Sequence, residues 1–228
     1  MIRANGKTTH KPPPPRPPFE IGIRDLDPRF IMAMDQALTA AGVRGVTVQC
    51  IDILAAKADG IVSPANSFGF MDGGIDFYYS QRWPHVQARV QEKIQQLPFK
   101  ELPIGAAMTV STDDKNFPVL ISAPTMRTPQ RIPPLNVYLA TRAAVALGIK
   151  VGCRRILMPG MGTGAGGVAP VVAAVAMRSG IIDGIAEAIG AVTWPKTVRE
   201  AAEWERARLG FTEQYPGWRA PGAGEPKP

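Results

Sequence analysis

Two short stretches of this chain carry residue types that could do chemistry. SPANSFGFMDGGID, residues 63–76, sets the amide Asn66 just past an apolar run and follows it with Gly69, Gly73, Gly74 and an acid, Asp76. PGMGTGAGGV, residues 159–168, holds five glycines in ten positions. Without Cβ atoms, consecutive backbone amides can converge on phosphate oxygens, and a following helix adds its positive N-terminus. The pattern therefore predicts two loops that face one another across a phosphate-bearing ligand.

Alternating strands and helices must position these loops. FEIGIRDL (19–26) reads as a strand with Phe19, Ile21 and Ile23 on one face. GVTVQCIDI (45–53), ADGIVSPA (58–65), IGAAMTVST (104–112), PVLISAP (118–124) and RRILMPG (154–160) are further strand candidates. Asp27 and Pro28 form an N-cap and first helical position for PRFIMAMDQALTAAG, which Gly42 ends. Helices are also expected over 77–97 with a break at Pro84, over 135–148, over 168–190 and, as a charged surface helix, over 197–210. The alternation argues for a three-layer α/β/α fold with a mixed, mainly parallel central sheet. Ligands of such sheets bind beyond the carboxyl ends of the strands, where both glycine loops lie.

Commoner phosphate motifs fail in context. The second loop lacks the Gly-Lys-Ser/Thr of a P-loop. Gly162, Gly164 and Gly167 satisfy G-x-G-x-x-G, and Asp183 follows at about the dinucleotide-binding distance. Asp183 falls inside one continuous helical stretch, however, where that fold needs it at the end of a strand.

Bulk properties narrow the function classes. The formal charge is +7 over 228 residues, but residues 1–18 contribute +4 and residues 193–228 contribute +1. Residues 19–192 carry only +2, so a basic nucleic-acid face is not expected. THKPPPPRPP (9–18) forms a disordered, proline-rich arm, a tether or a ligand for a proline-reading partner. The expected division is this arm at 1–18, one domain at 19–192, and a helix with a Pro/Gly-rich tail at 193–228. Phe211, Tyr215 and Trp218 of that tail are expected to dock back onto the body, the alternative being contact with a partner. Cys50 and Cys153 are expected to be buried free thiols. With only His10 and His85, a histidine-based metal site or Ser-His-Asp triad is not expected. No apolar run suits a membrane span or signal core, so a soluble, cytoplasmic protein is the expectation.

Taken together, the loops resemble the macrodomain family of ADP-ribose-binding modules. SPANSFGFMDGGID is similar to the family's Asn-Ala-Ala-Asn-Ser…Gly-Gly-Gly-Val-Asp segment, and PGMGTGAGGV to its Pro-x-x-Gly/Ser-Thr-Gly-x-x-Gly loop. CIDILAAKADGIV matches the Gly-Asp-Ile element and NVYLATRAAVALG the helix before the second loop, all in family order over about residues 46–190. The resemblance implies that Asp52 accepts from the adenine amino group, with Ile53 beside it. It places Asn66 on the distal ribose, with Gly73, Gly74 and Ile75 along the first loop. Gly162, Thr163, Gly164, Ala165, Gly166 and Gly167 become the diphosphate loop. Asp76 matches the acid that helps position water and ribose in the hydrolase branch, at that branch's spacing from Asn66. Neither a metal nor a cofactor is implied.

Ordinary readings stand beside these. Asp52 could be a turn acid, Asn66 a turn cap, and Asp76 the cap of a helix starting at Phe77. Tyr78 and Tyr79 could stack on a base or pack into the core, and Arg127 could reach a phosphate or stay solvated. Three departures from the family matter. Ser63 and Pro64 stand where the first asparagine is expected, Met71 and Asp72 where hydrolases carry more glycine, and Gly166 where a bulky aromatic often covers the distal ribose. A carboxylate beside a diphosphate is repulsive unless it points outward, and Gly166 implies a more open site. Three functions follow: hydrolysis of ADP-ribose from proteins or related esters, with Asn66 and Asp76 catalytic; non-catalytic reading of ADP-ribose or an ADP-ribosylated protein; or association with nucleic acid through the basic arm.

Overall fold

A computed structural model describes residues 19–192 and 195–209. The proline-rich arm and the aromatic tail with Phe211, Tyr215 and Trp218 lie outside the described residues. Six strands appear in order: β1 (Glu20–Asp25), β2 (Val46–Cys50), β3 (Gly60–Ser63), β4 (Met108–Ser111), β5 (Val119–Ser122) and β6 (Arg155–Met158). They form one sheet in the order β2-β1-β6-β3-β5-β4, parallel throughout except for the antiparallel pairing of β4 with β5. The expected mixed, mainly parallel sheet is thus present.

Its helices are α1 (Pro28–Ala40), α2 (Gly74–Arg82), α3 (Val86–Gln95), α4 (Pro134–Lys150), α5 (Pro170–Ala188) and α6 (Val198–Leu209). The period-2 alternation of strand side chains sorts them into two cores. Ile21, Ile23, Val62, Ile121, Ile156 and Met158 pack with residues of α1, α4 and α5. Ile61, Leu120 and Leu157 face the other way, onto Tyr79, Trp83, Val86, Val90 and Ile94 of α2 and α3. Two apolar faces on one sheet require two helical layers, which is why its central strands read as nearly continuous apolar runs.

Local signals act where expected. The Asp27 side chain accepts from Arg29 N at 2.9 Å, Pro28 occupies the first turn, and α1 runs out at Gly42 with φ of 63°. Pro84 separates α2 from α3. Two of the boundary differences shape the regions around the site. β4 is four residues long instead of nine, because residues 103–106 form a turn closed by Ala106 N to Pro103 O and shaped by Gly105 at φ of 90°. α2 starts at Gly74, three residues before Phe77, so Asp76 lies within its first turn and is not its cap.

Cys153 is buried, but Cys50 is exposed, contrary to expectation, because β2 is an edge strand. Asp183 sits mid-α5, accepts from Tyr138 Oη at 2.7 Å and pairs with Arg208 of α6. It ties helices together, so the dinucleotide-binding context is absent. Among the described residues no helix is long and apolar enough to cross a membrane, and no cluster of His, Cys, Asp or Glu could hold a metal ion.

Candidate functional site

The loops leave β3 and β6, which are parallel neighbours, so both emerge at the carboxyl end of the sheet. Between them lies a cleft of about 370 Å³, within the usual size of a small-molecule site.

The first loop is held rigid by its own side chains. Asn66 Oδ1 accepts from Phe68 N at 3.1 Å and Phe70 N at 3.3 Å, while Nδ2 donates to Phe70 O at 2.8 Å. Its backbone makes a bridge to Met126. Most of the amide's hydrogen-bonding capacity is spent on the loop, leaving one N–H uncommitted on a residue that lines the cleft. Met71 buries its side chain among the α2 and α3 residues and donates its amide to Gln87 Oε1 at 2.8 Å. The chain then opens. Gly73 is extended and Gly74, at φ of 56°, starts α2 in a conformation that strains any side chain. Among the described residues, nothing accepts from the amides of Asp72, Gly73, Gly74, Ile75 and Asp76. Four of them, Gly73 to Asp76, are the orphan donors of a helix N-terminus.

The second loop is anchored at both ends and free in the middle. Gly160 N donates to Asp25 Oδ2 at 2.9 Å, Gly167 N to Gly164 O at 2.9 Å, and Val168 N to Gly162 O at 3.1 Å. The five amides from Gly162 to Gly166 have no acceptor among the described residues. Gly162 has φ of 75°, and a Cβ there would lie 2.6 Å from Val137 Cγ2. The expected openness at Gly166 is not found on its Cβ side. A side chain would begin 2.6 Å from Gly162 O and 3.0 Å from Ile132, whose own amide donates to Gly166 O. The Gly162 carbonyl and the Ile132 side chain fill that space.

Asp52, Ile53, Asn66, Gly73, Gly74, Ile75, Asp76 and the run Gly162, Thr163, Gly164, Ala165, Gly166 all line this one cleft. Gly167 does not; it faces Arg131. Asp52 caps a short 3-10 turn through Leu54 N at 2.9 Å, leaving its second oxygen without a described partner. Tyr78 is 60% exposed on the cleft, whereas Tyr79 is buried, so the two candidate stacking rings divide between site and core. Arg127 lies off the cleft, paired with Glu101 at 2.8 Å and over the Phe68 ring.

Charge in the cleft runs against a simple anion site. Asp25, Asp52, Asp72 and Asp76 line it, with Arg24 as the one cationic side chain among the lining residues. Arg24 is 2% exposed and donates to Ile23 O, Thr47 O and Thr47 Oγ1, so its charge is spent on the sheet. Anion binding here falls to backbone amides. Asp76 is buried, and loss of hydration pushes its carboxyl up to about 7, against the pull of a 2.5 Å hydrogen bond donated by Ser63. Asp25, Phe70 and the Ser63 contact were not singled out from sequence. An acid ending the first strand was the one available signal for Asp25.

The family model for the Macro domain matches residues 62–177, both loops included. The chain belongs to the macrodomain family. This macrodomain is 32% identical over 173 residues to a protein of Aeropyrum pernix, covering 75% of this chain and 85% of that one. It is 39% identical over 122 residues to a protein of Aquifex aeolicus, covering 53% and 70%. Among solved structures, a mutant Oceanobacillus iheyensis macrodomain with ADPR matches at a TM-score of 0.50 and 16% identity, over 72% of this chain and 92% of that one. At that identity the likeness is one of fold.

Proposed function

We propose that this macrodomain binds ADP-ribose and hydrolyses it from modified proteins or related ADP-ribose esters. The observation that carries the reading is the pair of unpartnered amide rows, Asp72 to Asp76 and Gly162 to Gly166, on either side of one cleft. Such rows hold a diphosphate without lysine or arginine. The free oxygen of Asp52 and the apolar Ile53 provide an adenine slot at one end. The remaining N–H of Asn66 and the Gly73-Gly74 turn border a ribose slot at the other. A solved neighbour with ADPR supports the choice of ligand.

In the hydrolytic step, water adds to the anomeric carbon of the distal ribose and the bond from that carbon to the acceptor oxygen breaks. The acceptor takes the bonding electrons and leaves as a carboxylate or, where it is an alcohol, takes up the proton that Asp76 receives from the water. Asp76, with its carboxyl near neutrality, takes the proton from the attacking water. The diphosphate fixes the sugar so that orientation supplies much of the acceleration.

The reader function is favoured by one observation: Asn66 is largely consumed by its own loop. Calorimetry with free ADP-ribose, followed by incubation with a mono-ADP-ribosylated protein, separates the two. Binding with release of ADP-ribose is the expected result; binding without release selects the reader, and no binding removes both.

A further inference from the structure

We propose that Ser63 is a positioning residue for Asp76, its hydroxyl holding one carboxyl oxygen so that the other is presented to the cleft. The proposal rests on the reading of Asp76 as the group that handles the proton.

Ser63 ends β3, and the alternation along that strand puts its side chain on the face of Ile61, toward α2. Asp76 comes down to meet it from the first turn of α2. Ser63 Oγ donates to Asp76 Oδ1 at 2.5 Å, and both residues are more than nine-tenths buried. Oδ2 of Asp76 has no partner among the described residues, while Asp76 itself lines the cleft and Ser63 does not. One oxygen is therefore tethered and the other left for water or sugar. The resemblance drawn from sequence places an asparagine at this position; the shorter serine reaches the carboxyl through a single hydroxyl donor.

A donor to the ionised form also moves the proton equilibrium. Burial raises Asp76 and the Ser63 hydrogen bond opposes it. Other groups around the acid do not substitute for Ser63. Tyr79 on α2 donates its hydroxyl to Val62 O and stays protonated, its ionisation pushed well up by burial. Asp72 in the loop, Asp52 beyond β2 and Asp25 at the end of β1 are acids, and the Arg24 guanidinium is engaged by Ile23 and Thr47. Tyr78 stands at the exposed side.

The test uses Ser63→Ala and Ser63→Thr, with thermal melts at pH 5 and pH 8 as fold controls. Asp76 ionisation is followed by carboxyl-carbon NMR on the unliganded protein, and release of ADP-ribose from a mono-ADP-ribosylated protein is followed against pH. In Ser63→Ala the Asp76 midpoint rises by about one unit, the size expected when a hydrogen bond to a charged group is lost. The pH–rate profile moves up with it, kcat falls about tenfold, and KM changes less. Ser63→Thr, which keeps the hydroxyl, restores both. An unmoved midpoint in Ser63→Ala overturns the proposal, as does a wild-type rate profile. If wild type itself releases nothing, the hydrolase reading fails, and the NMR midpoint alone still decides whether Ser63 governs Asp76.

Discussion

Asp25 Oδ2 accepts a hydrogen bond from Gly160 N at 2.9 Å, so the end of β1 holds the start of the glycine loop that leaves its neighbour β6. The other carboxyl oxygen accepts from Asp27 N at 2.9 Å, which fixes Asp25 in turn. Asp25→Ala leaves two amides unpaired at the loop's base. Stability should fall by about 1–3 kcal/mol, and ADP-ribose affinity by about tenfold as the amide row loses its fixed geometry. Denaturant melts and calorimetry on the same variant check both.

Gly164 offers the most direct test of the second loop. A Cβ there meets nothing within 4 Å, so a side chain is accommodated without strain. Gly164→Glu should melt like wild type but bring a carboxylate onto the unpartnered amides. ADP-ribose at a hundred times Kd stabilises a native protein by about 2.7 kcal/mol. That thermal shift should be present in wild type and abolished in Gly164→Glu; a retained shift sinks the loop assignment.

Asp76 imposes a pH dependence on stability whose direction differs from the usual carboxylate. The folded chain keeps its proton up to about 7, against 3.8 for a freely hydrated aspartate carboxyl. Between these values the folded state binds one proton more than the unfolded state, so stability declines as pH rises through that window. Asp76→Asn removes the decline. It should match wild type near pH 4 and melt several degrees higher at pH 8, while release of ADP-ribose falls by roughly a hundredfold or more. A variant that is no more stable at pH 8 would contradict the buried, charge-averse site.

Asp72 is exposed, lines the cleft and has no hydrogen-bond partner or ion pair among the described residues. Its carboxylate opposes the approach of a diphosphate. Asp72→Gly should tighten ADP-ribose binding by about threefold to tenfold, and the gain should shrink with added salt because the residue is solvent-screened. Calorimetry at two ionic strengths reads the effect, and an unchanged Kd would place the carboxylate pointing away from the ligand.

How far the site was legible depended on the reach of each signal. Asp27-Pro28, Gly42 and Pro84 act through their own φ angles and nearest amides, so the ends of α1 and the break before α3 could be read from the chain. The glycine loops were visible for the same reason: a run without Cβ atoms announces available amides. Asn66 lines the cleft, but that its amide also bonds within its own loop was not legible, because an amide that shapes a loop and one that binds a ligand look alike in sequence. The alternative of Asp76 as the cap of a helix starting at Phe77 could not be set aside from sequence, since the φ of 56° at Gly74 that starts α2 early is a property of the folded loop.

By itself the amino-acid order determined which segments are strands, which are helices, and that two bends among them carry exposed donors, because periodicity and backbone freedom are settled within a few residues. Tertiary structure alone decided that β6 inserts between β1 and β3. That one choice sets the two bends side by side, reaches Asp25 across 135 residues to Gly160, and leaves Cys50 on an open edge. Packing α2 onto the opposite sheet face likewise sinks Asp76 onto Ser63. Strand order and burial are properties of the whole packed core, in which distant apolar surfaces compete for the same partners, and no local pattern records the winner.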